Sequence, residues 1–249
     1  MLRPIIRTCL YIPYYFHRLT RTGTFAEGAV GMVREPAPAA GNHLKRALWK
    51  HYVRQYHDAS CSVASVATVV NALGEVINGQ AGEITQMDLL DKVKTGNWKK
   101  RMSEAGDNGQ RGLPLMLFGD VVRGSLETFQ IPFASIETVD LREDSLPSQE
   151  KKEILRNRLQ EFETLGNGVI IAHFDQGAFI PELNIPHISP VGGYDSRTGR
   201  VTVLDVDRFQ SAPYTIPFER FYWGISKRYH HLFRFFGLTN GGYIYIRLR

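Results

Sequence analysis

Cys61 opens the stretch CSVASVATVVNAL, in which Val63, Val66, Ala67, Val70 and Leu73 recur at helical spacing. The spacing predicts a buried helix with the thiol in or next to its first turn. Asp58 or Ser60 is available as the cap and Gly74 as the stop. That position suits a nucleophile. A free thiol ionises near pH ~8.5, only the thiolate attacks well, and a helix N-terminus and a nearby imidazolium both favour the anion. On position alone it suits at least as well a small buried hydrophobe, a common role of free cysteine.

A base with its own orienting acid lies further along. HISPVGGY (residues 187–194) and VTVLDV (residues 201–206) flank a turn that holds Gly199. With the turn centred near Arg197, partners have numbers that sum to about 392–394, so His187 faces Asp205 to Asp207. Directly opposed side chains lie about 4.5–5.5 Å apart at Cβ. An imidazole that donates one N–H to a carboxylate is fixed in one tautomer, stabilised as imidazolium, and keeps its other nitrogen for a thiol. The plainer alternative is two ordinary residues at strand ends. Gln55, six residues before Cys61, could donate its amide to an oxyanion together with the Cys61 N–H, or be a surface amide. Gly192 and Gly193 permit a bulge or a close backbone approach.

The elements that must hold these residues follow from the rest of the chain. Residues 149–165 read as an amphipathic helix with Ile154, Leu155, Leu159 and Phe162 inward, ended by Gly166. VIIAHF (169–174) and residues 201–206 read as buried strands, and GYIYIRL (242–248) as an alternating one. Residues 44–52 read as a short basic helix, and 95–114, with four glycines, as a long loop. Helices first and antiparallel strands later predict an α+β fold. Residues 1–42 read as an N-terminal arm and linker. Its Gly-, Ala- and Pro-rich part spans 20–41, and Pro4 and Pro13 are expected to prevent a long helix before it.

At 249 residues, 43% hydrophobic and 22% charged, the chain suits one large domain with a proper core rather than disorder. A net charge of +5 fits an anionic substrate, nucleic acid or an anionic lipid surface without choosing among them. Two cysteines, Cys9 and Cys61, rule out a disulfide framework and a multi-thiolate zinc site, and fit a reducing compartment such as the cytoplasm. No run of about 18 uninterrupted apolar residues suggests a membrane span. The arm, with Arg3, Arg7, His17 and Arg18 among apolar residues, is a surface arm or a weak peripheral membrane contact.

QYHDASCSVASVATVVNAL resembles the nucleophile segment of the phytochelatin synthase family, a branch of the papain-like cysteine peptidases. HISPVGGYDSRTGRVTVLDVDRF resembles the segment that carries that family's catalytic His and Asp, including H-x-S-P-x-G-G-Y and L-D-V-x-R-F. The separation of 18 residues from His187 to Asp205 also agrees. The resemblance implies a papain-like catalytic domain over 43–249, with a nucleophile-bearing helical part packed on an antiparallel sheet. It implies Cys61 as nucleophile, His187 as base and acid, Asp205 as orienter and Gln55 in the oxyanion hole. Arg208 would pair with a substrate carboxylate or form a structural ion pair. The implied reaction cleaves the Cys–Gly bond of glutathione through a γ-glutamylcysteinyl acyl-enzyme and passes the acyl group to a second glutathione or to water.

The chain departs from the family pattern at Ser60 and Ser62 around the nucleophile and at Gln210 to Pro213, and the Cys-rich half of plant members is expected to be absent. These departures favour hydrolysis over polymer synthesis. No cofactor is implied, and a heavy-metal ion enters only as a metal–glutathione thiolate substrate. The competing readings are a papain-like peptidase or acyltransferase acting on another small or γ-glutamyl peptide, and an inactive membrane-surface or interaction module built on KRYHHLFRFF (227–236). No nucleic-acid motif is present, and the sequence leaves the oligomeric state open.

Overall fold

The computed structural model describes residues 2–20, 31–33, 42–79, 83–142, 148–180, 184–210 and 212–249. Its helices are α1 (Leu2–Thr20), α2 (His43–Lys50), α3 (Cys61–Asn78), α4 (Gln86–Lys92), α5 (Trp98–Met102), α6 (Leu115–Thr128), α7 (Ser148–Leu165) and α8 (Phe218–Ser226). Its strands are β1 (Gly31–Met32), β2 (Ser135–Val139), β3 (Gly168–Asp175), β4 (Pro186–Asp195), β5 (Arg200–Val203), β6 (Tyr214–Pro217) and β7 (Gly242–Arg247). They form one antiparallel sheet in the order β1-β6-β5-β4-β3-β7-β2. The fold is α+β, as the order of elements predicts.

α3 is the central helix, and every residue from Ser62 to Gly74 is buried. By length and composition it could cross a membrane, but it is enclosed by the protein. Its interior polar groups are all used locally, as burial requires. Thr68 Oγ1 donates to the Ala64 carbonyl (2.9 Å) and accepts from the Val53 N–H (3.3 Å). The Asn71 amide donates to the Ala67 and Ile84 carbonyls and accepts the Ile84 N–H at 2.7 Å. Ser65 Oγ reaches the Ile188 carbonyl of β4 at 3.0 Å and so pins the helix to the sheet beside His187.

Several expectations need correction. Gly74 does not end α3; the helix runs on to Asn78 and stops at Gly79, whose φ of 62° suits glycine. A mid-helix glycine costs only about 1 kcal/mol, which packing on all sides outweighs. The expected strand over 201–206 is shorter, because β5 ends at Val203. β7 alternates in sequence, yet Gly242 to Ile246 are all buried. Tyr243 and Tyr245 are covered by Arg158, whose guanidinium lies 5.7 and 4.3 Å from their rings. Ile154 is half-buried rather than inward. The stretch 95–114 is no plain loop; it contains a 3-10 turn (Thr95–Asn97) and α5, anchored by fully buried Trp98.

The N-terminal arm is helical despite its prolines. Pro4 falls in the first turn of α1, where backbone N–H groups have no helical partner to lose. Pro13 removes one interior bond, a loss offset by Ile6, Leu10 and Tyr11, which pack on the core. Ile5, Ile12, Phe16 and Leu19 form an exposed stripe along the same helix. The linker expected over 20–41 falls mostly outside the described residues, but Gly31 and Met32 form β1 by pairing with Thr215 and Tyr214.

Candidate active site

The site lies where the start of α3 meets β4 and the segment after β5. Cys61 is the first residue of α3, and Ser60 precedes it as cap. The Ser60 hydroxyl is turned backward, donating to the His57 carbonyl at 2.9 Å and accepting the His57 N–H at 3.1 Å. It therefore tightens the loop before the thiol instead of capping the helix. Ser62, the other departure beside the thiol, is buried and accepts the indole N–H of Trp98 at 3.1 Å. Among the described residues, no hydrogen bond engages the Cys61 N–H.

His187 sits near the start of β4, and its Nε2 bonds Asp205 Oδ1 at 2.7 Å. The Cys61 thiol lies close enough to the same ring to help raise its pKa. Phe174, its partner across β3, meets it edge-on with ring centroids 5.4 Å apart. The hairpin register allowed Asp205 or Asp207, and the structure selects Asp205. A bulge at Gly192 shifts the β4–β5 pairing. A Cβ on Gly192 would lie 2.6 Å from Leu204, so only glycine lets β4 pass this close to the residue before Asp205.

Asp205 is fully buried and fully paired. Oδ1 also accepts the Asp207 N–H at 2.9 Å, Oδ2 accepts the Tyr214 hydroxyl at 2.6 Å, and its carbonyl accepts the Tyr52 hydroxyl. Burial alone would raise its pKa, but the His187 charge and these hydrogen bonds hold it below the usual carboxylate range. For His187 burial pushes the other way, toward the neutral ring. The Asp205 charge and hydrogen bond, joined by the thiol, overcome this and lift its pKa well above the ordinary imidazole value. Asp207 behaves differently: burial and the adjacent Asp205 charge push its pKa up. It accepts from the Gln176 amide at 3.2 Å and from the Phe209 N–H at 3.0 Å.

The other candidates separate. Gln55 is buried, its N–H donates to the Val206 carbonyl at 2.8 Å, and its Oε1 has no partner among the described residues. Its backbone is thus tied to the residue after Asp205. Arg208 is committed to an ion pair with Asp58 at 3.0 Å and to the Tyr56 carbonyl at 3.1 Å, with its guanidinium over Phe209. That is the structural alternative. The pair ties the Asp205 segment to the loop before Cys61.

The sequence does not point to Tyr52 and Tyr214, which bond Asp205 from other elements. Nor does it point to His173, buried on β3 and paired in register with Ile188. Burial, with the His187 charge, holds the His173 pKa at about 4 against the pull of the Leu113 carbonyl. The ring is therefore neutral near pH 7. Nε2 donates to Leu113 O at 2.9 Å and Nδ1 accepts the Tyr229 hydroxyl. Only one of the two neighbouring histidines carries a proton's charge.

Cys61 opens into a pocket. It is lined by polar and small residues, among them Asp58, Ala59, Arg111 and Gly112, and by the apolar or aromatic Tyr11 of α1, Pro186, Phe233, Phe236 and Leu238. Among the described residues, no group of three or more His, Cys, Asp and Glu side chains could hold a metal ion.

A thiol at a helix start, packed against an antiparallel sheet that carries a His–Asp pair, is a papain-like arrangement. The phytochelatin synthase family model matches residues 38–229, more than half of the chain, and the chain belongs to that family. The matched span contains Gln55, Cys61, His187, Asp205 and Arg208. The family consists of enzymes that act on glutathione and transfer γ-glutamylcysteine. Comparison with curated proteins gives no match.

Proposed function

We propose that this protein cleaves the Cys–Gly bond of glutathione through a thioester on Cys61 and passes the acyl group chiefly to water. The observation that carries this reading is the buried His187–Asp205 pair beside Cys61, whose thiol lines a pocket. The thiolate attacks the scissile carbonyl while the developing oxyanion meets the Cys61 N–H and the Gln55 amide. His187, protonated against Asp205, gives its proton to the departing glycine amine. The neutral ring then takes a proton from water, which attacks the thioester and releases γ-glutamylcysteine. Tyr11 of α1 lines the same pocket as the thiol, and its bulk there supports water over a second tripeptide as acceptor.

Incubation with glutathione, with and without cadmium or zinc, tests this directly. The expected products are glycine and γ-glutamylcysteine in equal amounts. Oligomeric γ-glutamylcysteine peptides as the main product would replace hydrolysis by transfer. Absence of glycine would remove glutathione as substrate. Metal enters this reading only as a thiolate complex of the substrate.

We also read the exposed stripe Ile5, Ile12, Phe16 and Leu19 as a weak contact for an anionic membrane surface. It lies on a helix whose sequence has three arginines and no acidic residue. The protein should sediment with anionic but not neutral vesicles; equal behaviour with both would discard this contact.

A further inference from the structure

Arg111 lines the pocket that holds Cys61. Its Nε and Nη1 are buried and have no hydrogen-bond partner among the described residues. A guanidinium carries five donors in a fixed fork and stays charged, so leaving two of its nitrogens dry and unpaired is costly. Buried donors of this kind are normally satisfied, and an exception at a pocket wall calls for a missing acceptor. Asp58, the acid that also lines the pocket, does not serve; it is engaged by Arg208 at 3.0 Å and by the Tyr15 hydroxyl at 3.1 Å.

The loop that carries Arg111 is built to hold it. Arg101 braces the loop from beneath, donating to Gln110 Oε1 at 3.0 Å and to the Gly112 carbonyl at 3.4 Å. Asp107 and Gln110 exchange both backbone bonds, at 3.0 and 2.9 Å. Asn97 clamps Asp107 at 3.1 Å. A Cβ on Gly106 would meet the Gln110 carbonyl at 2.5 Å and Arg111 Cγ at 2.9 Å, so the turn closes tightly on the arginine's stem. The cation is placed in advance of any ligand, which spares ordering cost on binding.

We propose that Arg111 binds a carboxylate of the substrate by a forked ion pair, making it the residue that selects acidic peptides for Cys61. Geometry of this type is where arginine outperforms lysine. The inference rests on the thiol chemistry assigned above, and glutathione supplies two eligible groups, the glycine carboxylate and the γ-glutamyl α-carboxylate.

A test independent of glutathione uses the thiol itself, in a Cys9→Ser background to remove the exposed second cysteine. Iodoacetate and iodoacetamide both alkylate Cys61 with loss of iodide, and they differ in carrying a carboxylate or a neutral amide. Arg111→Met is expected to lower the iodoacetate-to-iodoacetamide rate ratio about tenfold, as one charge-assisted pair would. Arg111→Lys should keep the charge and most of the ratio. Because two of the removed nitrogens have no partner among the described residues, Arg111→Met should not lower thermal stability. An unchanged ratio, or a fall in stability with an unchanged ratio, overturns the proposal.

Peptides then locate the group. Glutathione amidated at glycine and 4-aminobutyryl-Cys-Gly each lack one carboxylate. The analogue that lacks the bound group should be cleaved by the wild type with kcat/KM about tenfold lower and be indifferent to Arg111→Met. Equal sensitivity of all three peptides to that substitution would also overturn it. Failure of the wild type to release glycine would end the glutathione reading while leaving the alkylation ratio to decide on Arg111.

Discussion

Cys61→Ala is expected to abolish glycine release from glutathione, with kcat lowered by a factor on the order of 10^5–10^6, as for removal of a nucleophile that acts as part of a unit. The size follows from the loss of the covalent route; what survives is binding and the oxyanion donors. Stability should hardly change, because the thiol is only half-buried and the neighbouring His187 keeps its bond to Asp205. The measurement is free glycine together with mass spectrometry of the protein after rapid quenching. The wild type should carry a γ-glutamylcysteinyl adduct on Cys61 and the variant none. Glycine release at near wild-type rates in Cys61→Ala would require another nucleophile.

Asp205→Asn should lower kcat by about 10^3–10^4, the size seen when a buried orienting acid is made neutral in a comparable triad. An amide presents an N–H where His187 Nε2–H must donate, so the wrong tautomer is favoured. The pH dependence supplies the sign. In the wild type the His187 pKa is raised, so the protonated ring persists above ordinary imidazole values, and activity that needs it falls only as pH rises through that raised value. Without the carboxylate, burial is left to push the ring down. The alkaline limb of kcat should therefore move to lower pH. The same linkage acts on stability. The His187 contribution is fully present below its ordinary value near pH ~6.5 and is lost as pH rises through the raised one. The Asp205 contribution is present above pH ~3.9 and is lost as pH falls through its lowered one. Urea unfolding of the two proteins across pH should show the variant without either dependence. An alkaline limb unmoved by the substitution would remove Asp205 as the partner of His187.

What could be read in advance was local. α3 is legible because its apolar residues recur at helical spacing, and the β4–β5 hairpin because two strand patterns flank a glycine turn. Together they bring His187 within reach of two aspartates. Sequence spacing could not choose between Asp205 and Asp207, because the choice depends on the Gly192 bulge and on Tyr214, which comes from the next strand. The end of α3 was misplaced because Gly74 and Gly79 look alike in sequence; only packing and backbone sign separate them. α1 was obscured by its prolines, whose cost depends on position within the turn. Arg111, His173 and Tyr52 were silent, since each owes its role to partners far along the chain. Gln55 sits at the segment that holds Asp205, whereas Arg208 serves structure rather than the pocket.

The place of β7 has a consequence for how the chain is made. It is the last strand in sequence, yet it lies between β3 and β2. Until it leaves the ribosome, among the described strands β3 has a partner on one side only and β2 has none. The nascent chain thus carries an apolar edge, VIIAHF, that is ready to pair with any neighbouring strand. Synthesis of this enzyme passes through a stage in which the thiol and its His–Asp partners already exist but the sheet beneath them is open, a stage exposed to aggregation and suited to chaperone capture.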